Sequence, residues 1–348
     1  MNEQAGKQHA ARPLKMAVVG ATGTVGETIL SILAERRFPL EGLVALASER
    51  SAGSTIDFGV EDELVVQDLA TFDPAGIDIA FFAAGGAVSQ EHAPRFAAAG
   101  AAVIDNSSAF RQDPDVPLVV AEVNPDDLAH RPRGIIANPN CSTMQMMVAL
   151  APIHRAVGIE RINVATYQSV SGAGRAAMEE LGRQTGALLN FQGAVPERFP
   201  VQIAFNVIPH IDEFLDNGYT REEMKLVWET RRILGDESIQ VNATAVRVPV
   251  FYGHAEAVHI ETRDKIDAAR ARELLQSAPG VTVVDERAPG GYPTPVTHAS
   301  GDDQVYVGRI REDLSHPRGL NLWVGSDNIR KGAALNAVQI AELVAARL

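Results

Sequence analysis

Short aliphatic runs alternate with helix-period segments from Leu14 to about residue 140. This alternation is typical of a parallel sheet whose strands are joined by helices. The pattern predicts a helix over 25–36 and strands at 16–20, 43–48, 77–84, 101–107 and 134–140. The runs at 77–84 and 101–107 are apolar throughout, which indicates strands that are buried on both faces.

The pattern changes after residue 141. An amphipathic helix is predicted over 142–157, and longer strands are predicted at 162–170, 241–250 and 255–262. These strands alternate with a period of two, which is typical of a sheet with one covered face. A last helix is predicted from a cap at Asp327 or Asn328 to the C-terminus, and it could pack on either half of the chain. The sequence thus predicts an α/β domain followed by an α+β domain.

Composition supports this division and excludes several classes of protein. The 348 residues, 46% of them hydrophobic, are enough for about two domains. Because 31 basic residues face 44 acidic ones, the net charge of −13 has the wrong sign for binding nucleic acid or an anionic membrane. No apolar stretch is long enough for a membrane helix, and residues 1–13 lack the apolar core of a signal peptide, so we expect a disordered tail.

The chain has one cysteine, Cys141. It can form no intrachain disulfide, and no cysteine cluster exists that could bind zinc. We therefore expect no metal site, and a cytoplasmic protein.

A glycine-rich turn follows the first predicted strand. Gly20, Gly23 and Gly26 lie three apart in GATGTVG, between a strand and a helix. A dinucleotide site needs this context, because glycines allow a tight turn and let backbone amides at a helix N-terminus approach a pyrophosphate. The alternative is that these glycines only make a tight strand-to-helix turn.

The end of the second predicted strand bears on the choice of cofactor. NAD enzymes usually place an acidic residue there, whereas NADP enzymes accommodate the 2′-phosphate with arginine or hydroxyl groups. The sequence reads Ser48, Glu49, Arg50, Ser51. Arg50 and Ser51 favour NADP, while Glu49 would favour NAD if it points inward.

Cys141 lies between a buried strand and a helix, in NPNCST. Amides at a helix N-terminus stabilise a thiolate, and ligands bind at the carboxyl ends of strands in α/β sheets. The alternative is a small buried apolar residue. A thiolate beside a nicotinamide indicates oxidation of an aldehyde through a thiohemiacetal and a thioester, or the reverse reduction of an acyl phosphate.

Such chemistry needs a base, for which His254 is the candidate, because Gly253 before it marks a turn or bulge that can redirect a side chain. Arg247 lies seven residues earlier, so on one straight strand the two side chains would face opposite sides. Their convergence on one substrate requires a bend, which Pro249 and Gly253 can provide.

Six motifs in order resemble the aspartate-semialdehyde dehydrogenase family, from Lys15 to Leu348. They are GATGTVG at 20–26, SSAFR at 107–111, NPNCST at 138–143, YQSVSGAG at 167–174, RVPVFYGHAE at 247–256 and NIRKGAALNAVQIAE at 328–342. The resemblance implies a glyceraldehyde-3-phosphate-dehydrogenase-like fold. A Rossmann domain over 14–140 would be completed by a C-terminal helix over 328–348, and 141–327 would form the catalytic and dimerisation domain.

The resemblance also implies the reaction. NADPH would reduce L-aspartyl 4-phosphate to L-aspartate 4-semialdehyde with release of phosphate, in the biosynthesis of lysine, methionine, threonine and diaminopimelate. The protein would be a homodimer or homotetramer.

By the same resemblance, Cys141 is the nucleophile that forms the thioester, and His254 is the general acid and base. Gln168 contacts the substrate, and Arg247 binds its carboxylate, for which a planar guanidinium is suited. For the cofactor, the resemblance assigns Thr22, Gly23, Thr24 and Val25 to the pyrophosphate turn, Arg50 and Ser51 to the 2′-phosphate, and Ser171, Gly172 and Asn328 to the nicotinamide.

Three charged residues acquire roles only through the resemblance. Arg111 and Lys225 match phosphate ligands, and Glu222 matches the group that binds the substrate amine. From the residues alone, Arg111 would be a solvated loop charge. Thr220 and Glu223 predict a capping box, which places Glu222 and Lys225 on one helical face as a surface ion pair.

Two rival functions remain. N-acetyl-glutamyl-phosphate reductase shares the fold and thioester chemistry, but usually carries its cysteine between glycine and tyrosine, whereas this chain has Asn140 and Ser142 around Cys141. Glu222 also suits a substrate with a free amine. The other rival is a non-catalytic relative that serves as a binding module.

Overall fold

The computed structural model describes residues 12–60 and 62–347. Residues 1–11 of the expected disordered tail and the last residue of the predicted C-terminal helix lie outside them. The chain divides into two compact units. The first runs up to Pro139 and resumes at Ala333, and the second comprises Asn140–Gly332.

The first unit contains a seven-stranded sheet in the order β3-β4-β2-β1-β5-β6-β7. Its strands are β1 (Leu14–Val19), β2 (Leu40–Ala47), β3 (Thr55–Phe58), β4 (Asp62–Asp68), β5 (Ile79–Phe82), β6 (Ala102–Asp105) and β7 (Ile135–Ala137). All neighbours are parallel except β3 and β4. Every residue of β5 and β6 is buried, which confirms the prediction from their apolar runs. The pattern missed β3 and β4, in which most side chains are exposed or half-buried.

Three α-helices lie in the described part of this unit. They are α1 (Thr24–Glu35), α2 (Gly86–Ala98) and the C-terminal α7 (Asn336–Ala345). Helix α7 packs into the same apolar core as α1, and Arg36 donates from Nε and Nη2 to the two carboxylate oxygens of Glu342, at 2.7 and 2.9 Å. The predicted single helix from residue 327 or 328 is wrong at its start, because Arg330–Leu335 forms a wider π-helical turn. Asp327 does accept from the amides of Ile329 and Arg330, but Gly332 N bonds five residues back, to Asp327 O.

The second unit contains a six-stranded mixed sheet in the order β11-β12-β13-β10-β8-β9. Its strands are β8 (Ile159–Gln168), β9 (Gln240–Arg247), β10 (His254–Thr262), β11 (Val281–Val283), β12 (Val305–Glu312) and β13 (Gly319–Ser326). Its helices are α3 (Cys141–Val157), α4 (Arg175–Leu189), α5 (Arg221–Leu234) and α6 (Ala268–Gln276). Alternate residues of β8 and β10 are buried, which confirms the period-two prediction of one covered face. No helix in residues 12–60 and 62–347 is long and apolar enough to cross a membrane.

The predicted strand at 241–250 is wrong beyond Arg247, where β9 ends. Val248 N still donates to Gln168 O at 2.9 Å, but Pro249 has no amide with which to continue the ladder. The chain then turns through Gly253, at φ +85°, into β10. The expected bend between Arg247 and His254 is therefore confirmed, although His254 begins a strand instead of ending one.

Candidate active site

The glycine turn of the first unit is packed so tightly at Gly20 and Gly26 that no side chain would fit at either position. A Cβ on Gly20, which has φ +81°, would lie 2.8 Å from the backbone of Ala83, and a Cβ on Gly26 would lie 2.2 Å from Gly20 O. Gly23 N donates to Gly20 O at 3.0 Å, and Gly23 is the N-cap of α1. The turn therefore places a helix N-terminus where an anion can approach it closely. The predicted pyrophosphate ligands Thr22, Gly23, Thr24 and Val25 are exposed or half-buried along it.

Arg50 and Ser51 lie in a 3₁₀ turn, Glu49–Ser51, that follows β2. Since β1 and β2 are parallel neighbours, this turn and the glycine turn lie at the same edge of the sheet. Arg50 is exposed and Ser51 is half-buried, so both can reach a ligand. Glu49 is also exposed. The residues present thus fit a dinucleotide with a 2′-phosphate.

Arg111, also in the first unit, is not the solvated loop charge that its sequence context suggested. It is only 8% exposed, and its Nη2 donates to Asn106 O at 3.0 Å. The buried Asp105 carboxylate at the end of β6 accepts from the hydroxyls of Ser89 and Ser107, at 2.6 and 2.7 Å. This loop therefore holds a guanidinium at the carboxyl end of a parallel strand.

In the second unit, three of the predicted site residues form one row across the ends of neighbouring strands. Gln168 of β8 pairs with Arg247 of β9. The antiparallel register of β8 and β10 places His254 opposite Gln168, and His254 pairs with Ser326 of β13. All four side chains lie on the covered face and are at most 6% exposed. We call these residues, Arg247, Gln168, His254 and Ser326, the catalytic row.

His254 is fully buried and held on one side by Ser169. The Ser169 amide donates to Nδ1 at 3.0 Å, and the Ser169 hydroxyl lies at the same distance from Nδ1. With the amide as donor, the neutral ring carries its hydrogen on Nε2. In the other tautomer Nδ1 donates to the Ser169 hydroxyl, and Nε2, which lies 3.5 Å from Gln168 Nε2, can accept a proton. Burial, reinforced by the charge of Arg247, lowers the pKa of His254 to about 3. The imidazole is neutral at physiological pH and can accept a proton.

Cys141 is the first residue of α3, which begins one residue before the predicted start at 142, and its side chain is half-buried. Asn140 caps this helix, since its Oδ1 accepts from the amides of Ser142 and Thr143 at 3.0 and 3.3 Å. Gly332 packs closely against Cys141, because a Cβ built on Gly332 would lie 2.7 Å from the Cβ of Cys141. The thiol thus lies at the positive end of a 17-residue helix.

Glu222 lies in the first turn of α5, and the predicted capping box of Thr220 and Glu223 is confirmed. Glu222 Oε1 accepts from the side-chain amides of Asn140 and Gln168, both at 3.0 Å. Glu222 Oε2 lies 2.9 Å from Lys225 Nζ. Burial would raise the pKa of Glu222, but Lys225 and these amides together lower it to about 2. The pair lies on one helical face as predicted, but Glu222 is buried and Lys225 is half-buried, so the interpretation as a surface ion pair is wrong. Glu222 is a permanent negative charge beside the row.

Arg247 supplies a positive charge at the same place. Its Nη1 donates to Ser169 O at 2.7 Å, which orients the guanidinium. A Cβ on Gly172 would lie 3.2 Å from Arg247 Nη1 and 3.3 Å from His254 Nε2, so glycine keeps this space open. Arg247 also interacts electrostatically with Glu222 and Cys141. The five predicted groups Cys141, Gln168, Glu222, Arg247 and His254 therefore belong to one cluster.

Ser171 and Asn328 are joined by hydrogen bonds next to His254. Asn328 Oδ1 accepts from the hydroxyls of Ser169 and Ser171 and from Gly253 N, at 3.0 to 3.1 Å, and Nδ2 donates to Ser171 Oγ. These bonds hold the turn that precedes His254. The contact of Ser171, Gly172 and Asn328 with a nicotinamide stays a prediction.

Sequence reasoning missed three residues of this cluster: Asp212, Ser169 and Glu229. Asp212 Oδ2 accepts from Lys225 Nζ at 2.8 Å, and Glu229 Oε2 accepts from Asn140 N at 2.7 Å. Glu222 and Glu229 are seven apart on α5, a helical spacing that places both on one face. That spacing was visible in the sequence, but nothing local indicated that the face meets Asn140.

Comparisons with known proteins identify the family of the chain. Residues 15–131 match the sequence model for the semialdehyde dehydrogenase NAD binding domain, and residues 150–331 match that for the semialdehyde dehydrogenase dimerisation domain. Aspartate-semialdehyde dehydrogenase from Legionella pneumophila is 60% identical over 334 residues, which cover 96% of each chain.

Two solved structures resemble the chain. Aspartate semialdehyde dehydrogenase II of Vibrio cholerae, complexed with ASA, has a TM-score of 0.93 at 57% identity and covers 96% of this chain and 98% of its own. The Candida albicans enzyme with NADP has a TM-score of 0.76 at 26% identity and covers 96% and 99%. With its two-domain α/β fold, the chain belongs to the aspartate-semialdehyde dehydrogenase family of oxidoreductases.

Proposed function

We propose that the protein catalyses the NADPH-dependent reductive dephosphorylation of L-aspartyl 4-phosphate to L-aspartate 4-semialdehyde and phosphate, in amino-acid biosynthesis. Glu222 and Arg247 carry this assignment, because they place opposite charges that both act on His254. An amino acid carries a matching pair, an ammonium group and a carboxylate. Arg247 binds the carboxylate as a planar fork, and Glu222 binds the amine.

The chain's own residues supply the covalent step. In the tautomer that carries its hydrogen on Nδ1, neutral His254 accepts the proton of Cys141 at Nε2, and the thiolate attacks the acyl carbon of the acyl phosphate. The carbon–oxygen bond to phosphate breaks, which leaves a thioester on Cys141. Arg111 and Lys225 bind the phosphate. Gln168 contacts the substrate, and its Nε2 is already oriented by Glu222 at 3.0 Å.

NADPH, when bound, supplies the hydride that reduces the thioester. His254 then returns its proton to the thiohemiacetal oxygen on Cys141. As the thiohemiacetal collapses, His254 takes up its hydroxyl proton, and the aldehyde and the Cys141 thiolate are released. Return of that proton from His254 to the thiolate restores the neutral imidazole and the thiol.

NADP is the cofactor that the first unit accommodates best. The glycine turn at Gly20, Gly23 and Gly26 admits a pyrophosphate, and Arg50 and Ser51 can bind a 2′-phosphate. The fold neighbour from Candida albicans is described with NADP. We also infer that the protein forms a homodimer or homotetramer through the residues that match the dimerisation domain. We infer as well that the enzyme is cytoplasmic.

A spectrophotometric assay tests the proposal in the reverse direction. NADPH formation is followed with L-aspartate 4-semialdehyde, phosphate and NADP, with omission of each in turn. We expect a signal that requires all three and falls strongly when NAD replaces NADP. A faster reaction with N-acetyl-glutamate semialdehyde would instead assign the enzyme to the reduction of N-acetyl-glutamyl phosphate. No reaction with either aldehyde, in folded protein that binds NADP, would favour a non-catalytic binding module.

A further inference from the structure

Glu256 is a buried carboxyl group that the mechanism above does not use. It follows His254 by two residues on β10, so both side chains lie on the same covered face. It pairs with Thr166 of β8 and Val324 of β13. Glu256 therefore belongs to the row of residues directly beneath the catalytic row.

Helix α3 covers this face and places an amide in the corresponding position beneath Cys141. Gln145 follows Cys141 by four residues, which puts both on one helical face, one turn apart. Gln145 is fully buried, and its Oε1 accepts from the hydroxyl of Ser326, a member of the catalytic row, at 2.7 Å. Gln145 therefore lies one helical turn from Cys141, and Glu256 lies two residues from His254 on the same face of β10.

Both of these side chains carry buried polar atoms without a hydrogen-bond partner among the described residues. Neither oxygen of Glu256 nor Nε2 of Gln145 has a hydrogen bond of ordinary geometry within the described part of the chain. Burial raises the pKa of Glu256 well above its ordinary value, although the amide of Gln145 acts in the opposite direction. A fully buried carboxyl group with no paired cation is favoured in its neutral form. In that form it can accept from an amide and donate from its hydroxyl.

We propose that neutral Glu256 and Gln145 form a polar pair that positions Cys141 against His254. Neither touches the substrate, so both are positioning residues that act through the nucleophile and the acid and base. The pair links the first turns of α3 to the start of β10, and Ser326 extends the link to β13. This inference rests on the proposed roles of Cys141 and His254.

Two substitutions at one position separate polarity from charge. Glu256→Gln retains a neutral polar group of the same shape, and we expect kcat within about threefold of the wild type. Glu256→Met keeps the volume but removes the polar group. We expect it to lower kcat by about 10²-fold, the effect of an ångström-scale misplacement, with KM for the aldehyde and for NADP nearly unchanged. Val258→Ala, two residues further along the same face, controls for general loss of packing and should keep kcat.

Alkylation of Cys141 by iodoacetamide gives a second readout that does not depend on the substrate. We expect Glu256→Met to slow this reaction and Glu256→Gln to leave it near the wild-type rate. If the wild type were inactive with L-aspartate 4-semialdehyde, the proposed function would fail, while alkylation would still test the pair. If Glu256→Met does not fold, Gln145→Leu takes its place with the same expectations.

Three results would overturn the proposal. In folded protein, an unchanged kcat in Glu256→Met, or in Gln145→Leu where it substitutes, would show that the polar pair is not needed. A kcat as low in Val258→Ala as in Glu256→Met would show that packing alone matters. A large loss of kcat in Glu256→Gln with normal alkylation would show that the carboxyl group acts by ionising.

Discussion

The cofactor turn and the catalytic cluster are built in opposite ways. The turn at 20–26 is a continuous stretch, and its shape depends on the absence of side chains at Gly20 and Gly26. The cluster draws Cys141, Gln168, Glu222, Arg247 and His254 from two helices and three strands, and depends on hydrogen bonds and charge. The turn is therefore vulnerable to added volume, whereas the cluster is vulnerable to a change of functional group at constant volume.

The largest effect should come from removing the nucleophile. Cys141→Ala should abolish turnover, because no thioester can form, while NADPH affinity stays within a few-fold of the wild type. Initial rates and titration of NADPH fluorescence measure the two. Retained turnover would refute the covalent mechanism.

The converse substitution adds one methyl group to the turn. In Gly26→Ala the Cβ would lie 2.2 Å from Gly20 O, and no flexible side chain can move aside. We expect a loss of about 1–3 kcal/mol or more in the free energy of unfolding, together with weaker NADPH binding. Urea unfolding and fluorescence titration measure the two quantities. Gly86→Ala is the control, because no atom lies within 4 Å of its Cβ position. Equal results for the two variants would mean that the turn is not sterically restricted.

A smaller effect should come from changing geometry at constant charge. Arg247→Lys replaces a planar fork by a point charge, so binding of the amino-acid substrate should weaken by about 1–3 kcal/mol. The KM for L-aspartate 4-semialdehyde measures this, and the KM for NADP serves as the internal control. An unchanged KM for the aldehyde would show that Arg247 does not bind the carboxylate.

The smallest effect concerns stability. The pKa of His254 is about 3 in the folded protein against 6.5 in the unfolded chain, so the unfolded state binds more protons between these values. Stability from this group is present above pH 6.5 and is lost as the pH falls toward 3, by up to about 1.4 kcal/mol per pH unit.

The matched variant for this prediction is His254→Gln. Between pH 6.5 and about pH 5, the wild type should lose more stability in urea unfolding than this variant. Staying above pH 5 keeps Glu222 ionised in both states, since its pKa is about 2 when folded and 4.5 when unfolded. Parallel losses in the two proteins would mean that the imidazole does not stay neutral in the fold.

Local patterns predicted most of the two folds. The buried strands β5 and β6, the helix after the strand at 134–140, to within one residue, and the capping box of α5 were all predicted, because each depends on neighbours a few residues apart. Two boundaries were wrong. The π-helical turn before α7 and the end of β9 at Arg247 depend on backbone bonds that periodicity does not indicate.

The sequence by itself determined the chemistry that is available: one thiol, a glycine turn and a bend between Arg247 and His254. Only the tertiary structure decided which groups meet. Sheet pairing aligned Arg247, Gln168 and His254 in one row, and helix α5 brought Glu222 and Glu229 to Asn140. Burial favours the neutral forms of His254 and Glu256, whereas Lys225 and the neighbouring amides keep the buried Glu222 ionised. The physical reason is that periodicity and turn chemistry act over a few residues, whereas strand register and desolvation depend on residues far apart in the chain.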